Sequence, residues 1–420
     1  MKIKKRGFVN KIIVFLLLIV AFHCFYLFKY PLWLSNITWI YNWGMVVFSI
    51  SLLYFVHKYH LKNCWLNKYL LILLGLIIIQ FIYTKLNYPN QSFYDTFRVA
   101  CSFLFIFSSV IFLKYLDNNG EKSLLNLINW FCFLWEILII VQSFYYRKGV
   151  LLFDISSYFY GDSIYERNNN IRMSIGIFAE FMIFYNFTNF FSDKKLFRKN
   201  NIKSMVFFVI AIWALLFVDQ GRADAVYIFI TLAVIMVTSS YNLKSKVIMV
   251  MVTLFAIYIV TSTDLIQAML ETFNSTGLNA NSTTHRLYAL QYYTECIKNH
   301  LFLGNGLLKT TNINDVYYTV EHGSLGWAYY SDVGLIGLTA NIGLFGLIIV
   351  FIYPLIRTGY FLFKLVKKYS WREYIFPISL YVYLLVSSGT LISTDVQRIL
   401  QFAFFIAYFE YIYKKDYLSM

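Results

Sequence analysis

Thr283-Thr284-His285-Arg286, Gly304-Asn305-Gly306 and Glu321-His322-Gly323 all fall within residues 263–343, just before Gly334-Leu335-Ile336-Gly337 opens another apolar run. This region is the one long polar interruption in a chain otherwise built of apolar stretches. Its setting decides the fold: a polar loop of this length, bounded on both sides by apolar runs, is expected to be carried on the outer face of a membrane frame.

Composition supports the frame. The 420 residues are 59% hydrophobic and only 14% charged, the balance of a polytopic membrane protein rather than a water-soluble domain. Trp33, Trp39, Tyr83, Tyr145, Tyr146 and Trp371 lie near segment ends, where amphipathic rings sit at headgroup depth. The formal charge of +15 is spread in short clusters between apolar runs, which fits a positive-inside signal and excludes a nucleic-acid partner. The five cysteines form no CxxC pair, so neither a disulfide framework nor a zinc site is expected.

A bilayer-crossing helix needs roughly 17–25 apolar residues, and backbone satisfaction in lipid favours helices. The sequence predicts an all-α polytopic membrane protein of about twelve spans. They are placed near 12–29, 34–56, 69–83, 96–116, 124–145, 173–191, 205–218, 223–239, 246–262, 333–356, 373–389 and 396–413. The first resembles a signal peptide, but it runs into Tyr30-Pro31-Leu32-Trp33 without a small-residue cleavage site and is expected to be retained. With a cytoplasmic N-terminus, the inner segments 2–11, 58–68, 194–203, 357–372 and 414–415 and their neighbours hold about 24 of the 36 Lys and Arg. Both termini are then cytoplasmic. The organisation expected is spans one to nine over 1–262 with an outer loop near 146–172, a large outer loop over 263–332, and spans ten to twelve over 333–420. No GxxxxGK[ST] occurs and the inner links are short, which disfavours an ATP-driven pump.

Within the long loop, Leu287, Leu290, Tyr293 and Ile297 recur at helical spacing and predict an amphipathic helix over 285–300, ending at Gly304-Asn305-Gly306 with Arg286 in its first turn. Its apolar side faces either the loop's own helices or lipid.

Five polar side chains could carry chemistry. Arg222, in Asp219-Gln220-Gly221-Arg222-Ala223-Asp224, opens a span, where a guanidinium is either paired with Asp219 or Asp224 or placed to clamp a phosphate with parallel donors. Arg286 could do the same from the long loop. Arg172 precedes Gly176 and Glu180; the two charges are either structural partners, with Glu180 about two helical turns in, or face a cavity reached from outside. His322, flanked by Glu321 and Gly323, titrates near neutrality and could take a proton from a sugar hydroxyl without special burial, although a lone loop histidine is more often simply solvated. No HExxH or DxD occurs, and neither metal nor other cofactor is expected.

The order of these features resembles the Wzy-type O-antigen and capsular polysaccharide polymerases and the related O-antigen ligases. The resemblance rests on Arg172 with Gly176-Ile177-Phe178-Ala179-Glu180, then Gly221-Arg222-Ala223-Asp224 opening a span, and then the long loop. There Arg286, Gly304-Asn305-Gly306 and His322 are followed by Gly334-Leu335-Ile336-Gly337 and Gly343-Leu344-Phe345-Gly346. Gly323 stands where the family often has Asn, and Gly221 where it commonly has Ser. The resemblance implies a metal-independent glycosyltransferase of GT-C-like fold in the bacterial cytoplasmic membrane. It would polymerise undecaprenyl-diphosphate-linked oligosaccharides on the outer face of the bilayer, alongside chain-length regulator and flippase proteins. It also implies Arg222 and Arg286 on the diphosphate, His322 as base, and Arg172, Glu180 and Trp327 on substrate. Two alternatives remain open at this stage: a ligase passing the chain to lipid A core, and a flippase or transporter, for which internal repeats and broken helices would be the sign.

Overall fold

A computed structural model describes residues 2–22, 65–152, 166–167, 170–192, 199–238, 280–309, 317–324, 328–391, 395 and 398–417. The expected spans at 34–56 and 246–262 lie outside these residues, as do Trp327 and the side chain of Arg222. The helices are α1 (Lys2–Ala21), α2 (Trp65–Asn87), α3 (Phe93–Leu104), α4 (Ser109–Asn119), α5 (Glu121–Tyr146), α6 (Ala179–Ser192) and α7 (Lys199–Ala214). They continue with α8 (Arg222–Thr238), α9 (Ala280–Asn299), α10 (Tyr318–His322), α11 (Gly334–Leu347), α12 (Tyr353–Lys368), α13 (Ile375–Ser387) and α14 (Ile399–Ile412). A two-residue antiparallel pairing of Glu166–Arg167 with Asn170–Ile171 is the only strand structure among the described residues.

Five helical stretches are long and apolar enough to cross a membrane: Trp65–Asn87, Phe93–Asn119, Glu121–Tyr146, Asn201–Asp219 and Tyr330–Lys368. The chain therefore has the build of a multi-pass helical membrane protein. At 1.5 Å per residue, the 23 residues of α2 extend about 35 Å, enough for the hydrocarbon core. Local chemistry fixes several boundaries. The Ser92 hydroxyl accepts the Asp95 amide at 3.0 Å and caps α3, and Gly120, at φ 79°, turns α4 back into α5.

Helix α14 is the axis of the bundle. Every residue from Ile399 to Glu410 is buried, as expected of a helix that is apolar all round. Phe404 meets Phe112 and Phe178 edge-on at 5.6 and 5.8 Å, tying α14 to α4 and the approach to α6. Such ring pairs add about 0.5–1.5 kcal/mol each beyond area burial.

Helix α11 is broken at Gly343, whose φ of 72° and ψ of 179° leave the helical region. A break at membrane depth frees backbone groups that lipid cannot satisfy. Here residues 301–306 fill it: the amides of Asn305 and Gly306 donate to the carbonyls of Ala340 and Asn341 at 2.7 and 2.8 Å, and Leu344 donates back to Leu301 at 2.8 Å. Gln80 of α2 donates to both Leu303 and Ile342 at 2.9 Å. Close approach explains the glycines, since a Cβ at Gly343 would stand 2.1 Å from the Phe302 oxygen and one at Gly304 2.5 Å from the Asn341 oxygen. Gly304-Asn305-Gly306 thus forms more than a helix stop. It is a splice between α2 and α11, seated about two turns inside the C-terminal end of α2.

Helix α9 begins at Ala280, so Arg286 sits in its second turn rather than its first. Its packed stripe is Ala289 and Tyr293, with Tyr288, Tyr292 and Cys296 beside them. Leu287 and Leu290, expected on that stripe, are 62% and 41% exposed. Leu287 lies about half a turn round the helix from Ala289, and the tyrosine face wins because its hydroxyls find partners.

Candidate substrate site

Of the side chains singled out in the sequence, Arg172 and Glu180 meet residues at the starts of α8 and α14. Residues 172–176 form neither helix nor strand before α6, and Arg172 Nε donates to the Asp219 carbonyl at 2.7 Å while its Nη2 lies 3.6 Å from the Asp219 carboxylate. Asp219 closes a π-helical turn, Leu215–Asp219, that continues α7, and the left-handed Gln220 (φ 53°) follows it. A Cβ on Gly221 would contact both the Asp219 and Asp224 carboxylates, at 3.4 and 3.2 Å, so the glycine lets these two acids approach the turn.

Asp224, in the first turn of α8, has a different arginine. Arg398 Nη2 lies 3.1 and 3.4 Å from its two oxygens, across 174 residues of chain. Arg398 Nε is buried and makes no hydrogen bond. One turn on, Gln401 donates to Glu180 Oε2 at 3.1 Å. Arg172 and Glu180 are therefore not a pair, in contrast to one expectation from the sequence: the chain between them is not helical, Gly176 has a φ of 99°, and α6 starts only at Ala179. Glu180 accordingly sits in the first turn of α6, not two turns deep. It remains within electrostatic reach of Asp224, Arg398 and Asp219. The charges of Arg286, Arg398 and Arg172 all act on the carboxylate of Asp332, which links the arginine of α9 to the other two. Arg222 is the first residue of α8.

His322 closes the short helix α10, and three tyrosines of α9 hold this helix and the residues that follow it. The Tyr292 hydroxyl donates to the Val320 carbonyl at 2.6 Å, Tyr293 donates to Ala328 at 2.7 Å, and Tyr288 bonds the Ser324 hydroxyl at 3.0 Å. The imidazole is 2% exposed, stacked on Tyr318 at 4.0 Å with Tyr329 edge-on at 4.7 Å. The solvated loop histidine expected from the sequence is thus corrected to a buried one, because the tyrosine face of α9 folds α10 beneath Tyr329. Burial lowers its pKa below the ordinary 6.5 and favours the neutral ring. Nδ1 lies 3.2 Å from the Tyr318 carbonyl. A carbonyl can only accept, so Nδ1 carries the proton and Nε2 holds the lone pair. Glu321 does not orient this ring. It is buried against Tyr292, Tyr293 and Tyr330, one of its oxygens lacks a hydrogen bond, and burial pushes its pKa well above the usual carboxylate range.

Two residues here were passed over in the sequence. Arg398 stands just before α14, with no local hint of Asp224. Glu136 lies within the apolar run of α5, 2% exposed, with one carboxylate oxygen unbonded and Glu180 as its electrostatic neighbour. A carboxylate in mid-span was itself the signal. Among the described residues, no three His, Cys, Asp or Glu side chains converge as metal ligands.

No family model matches the chain, and no curated protein sequence matches it.

Proposed function

We propose that this chain is a Wzy-type polymerase, with about twelve spans in a GT-C-like arrangement, both termini cytoplasmic and the site end facing outward. In this reading it joins undecaprenyl-diphosphate-linked repeat units into a surface polysaccharide. The observations that support the proposal are that Arg172 and Arg398 hold Asp219 and Asp224, the two acids of one turn, that Arg286 also acts on the Asp332 carboxylate, and that His322 carries a neutral, single-tautomer imidazole.

The chemistry required is limited. A sugar hydroxyl of the acceptor attacks the donor's anomeric carbon, forming the glycosidic bond as the bond to the diphosphate oxygen breaks. The diphosphate leaves with the electron pair, and guanidinium forks neutralise it. The hydroxyl proton passes to His322 Nε2, which requires Tyr329 to swing off the ring. Arg222, at the first turn of α8, joins the clamp from the N-terminal helix end, where an anion is favoured. Glu180 and Trp327 contribute to donor and sugar contacts. The aspartates keep the arginines paired until the diphosphate exchanges for them.

A flippase would offer its substrate a broken helix. The break at Gly343 is occupied by the chain's own residues 301–306, and its freed carbonyls are bonded to protein. That observation favours the polymerase over the transporter.

Deleting the gene and running the surface polysaccharide on a gel tests the proposal. One repeat per acceptor, with long chains restored by the natural gene and not by Arg286→Ala at equal expression, is the expected result. Complete loss of polysaccharide from the acceptor would point instead to a ligase or flippase and overturn the polymerase reading.

A further inference from the structure

At the end of the bundle opposite the arginines and His322, a cavity of about 540 Å³ opens between α1 and the α4–α5 turn. It lies within the ~300–1,000 Å³ range of small-molecule sites. Its lining is divided. Lys11, Ser123, Asn126 and Tyr115 supply a cation and polar groups, whereas Ile12, Phe15, Leu127 and Trp130 supply apolar wall. The Lys203 ammonium stands 4.4 Å above the Trp130 ring, so a second cation flanks the apolar side. Beyond Trp130, exposed Leu134 continues the apolar strip along α5.

We infer that this cavity binds one anionic phospholipid, its phosphodiester against Lys11, Ser123 and Asn126 and one acyl chain along Phe15, Trp130 and Leu134. Three features select this occupant. The cations at Lys11 and Lys203 leave charge for an anionic group to complement. A free phosphate would leave the apolar half of the cavity unused. Lys364, Lys367, Lys368, Lys414 and Lys415 crowd the same end of the bundle, where a leaflet rich in anionic lipid is attracted by about 1 kcal/mol per basic side chain. The inference needs only the membrane setting and is independent of the polymerase reading.

The full chain, purified in detergent with either phosphatidylglycerol or phosphatidylcholine added, tests it by native mass spectrometry. One phosphatidylglycerol should survive detergent exchange while phosphatidylcholine is lost. Lys11→Gln should weaken retention about fivefold, and Asn126→Leu should weaken it too. Lys298→Gln, an exposed lysine on α9 away from the cavity, should leave it unchanged. Lys11 is exposed, so its substitution should leave the melting temperature intact; Asn126→Leu provides an independent variant should Lys11→Gln not fold. Equal retention of the two lipids, undiminished retention in both cavity variants, or an equal loss in Lys298→Gln would overturn the site.

Discussion

Both ends of the bundle hold a partly buried arginine against a carboxylate, and the two arginines differ in what surrounds them. At the basic end, Arg357 meets Glu410 at 2.8 Å while the rings of Trp65, Tyr413 and Phe361 surround its guanidinium at 4.1, 4.6 and 5.8 Å. Neighbouring contacts tighten the same end: Lys414 lies 3.5 Å from Asp117, and the hydroxyls of Tyr408 and Tyr374 donate to Glu121 and Asp416. At the other end, Arg398 touches Asp224 through one nitrogen only, and its Nε is buried with no hydrogen bond. A guanidinium whose charge and faces are all occupied holds helices together. In the polymerase reading, one with a spare donor exchanges its carboxylate for the diphosphate.

That contrast is open to experiment. Arg357→Ala should give the largest effect, because it removes the ion pair to the buried Glu410 carboxylate together with three ring contacts: a loss of about 3–5 kcal/mol, seen as a fall in melting temperature. If stability is retained, the anchor role at the basic end is wrong. Arg398→Lys keeps the charge and the Asp224 pair but loses the fork, so melting should hardly change. The rate of repeat-unit addition in membranes should nevertheless drop about 100-fold, as for removal of one transition-state donor. A full rate in this variant would make Arg398 another anchor and erase the difference between the ends.

Smaller effects come from titration at the site end. His322 must be neutral to accept a proton, and burial lowers its pKa, so the acid limb of kcat/KM should fall below pH 6.5. The same shift contributes stability that is complete above pH 6.5 and lost as pH falls through the folded value. A limb at or above pH 6.5 would show that the imidazole is solvated during turnover. Glu321 has the opposite sign. Its raised pKa gives stability that is complete below the ordinary carboxylate value and lost as pH rises through the folded one. Glu321→Gln should therefore melt higher than the natural protein on the alkaline side and flatten its decline with pH. Parallel melting curves from pH 5 to 9 would place Glu321 in contact with water.

Much of the frame was legible in the chain. The run between Trp65 and Asn87, or between Glu121 and Tyr146, is long and apolar enough that no partner is needed to make it a spanning helix. Gly304, Gly334 and Gly343 were visible as glycine-rich signatures, but their purpose was not, because it depends on which backbone passes within a Cβ's reach. The site was legible in part. Arg172, Arg286 and His322 were singled out as residue types able to bind phosphate or move a proton. The burial of His322 could not be foreseen, since it is imposed by tyrosines on a helix some thirty residues earlier.

Sequence alone, then, settled the helical membrane frame and the side chains able to handle a phosphate and a proton, because hydropathy and side-chain chemistry are properties of short stretches. Tertiary structure decided the pairings: Arg398 with Asp224, Glu180 with Gln401, and residues 301–306 in the break at Gly343. Those contacts join segments with no shared local pattern. They follow from the requirement that buried charges and freed backbone groups find partners once the helices have packed.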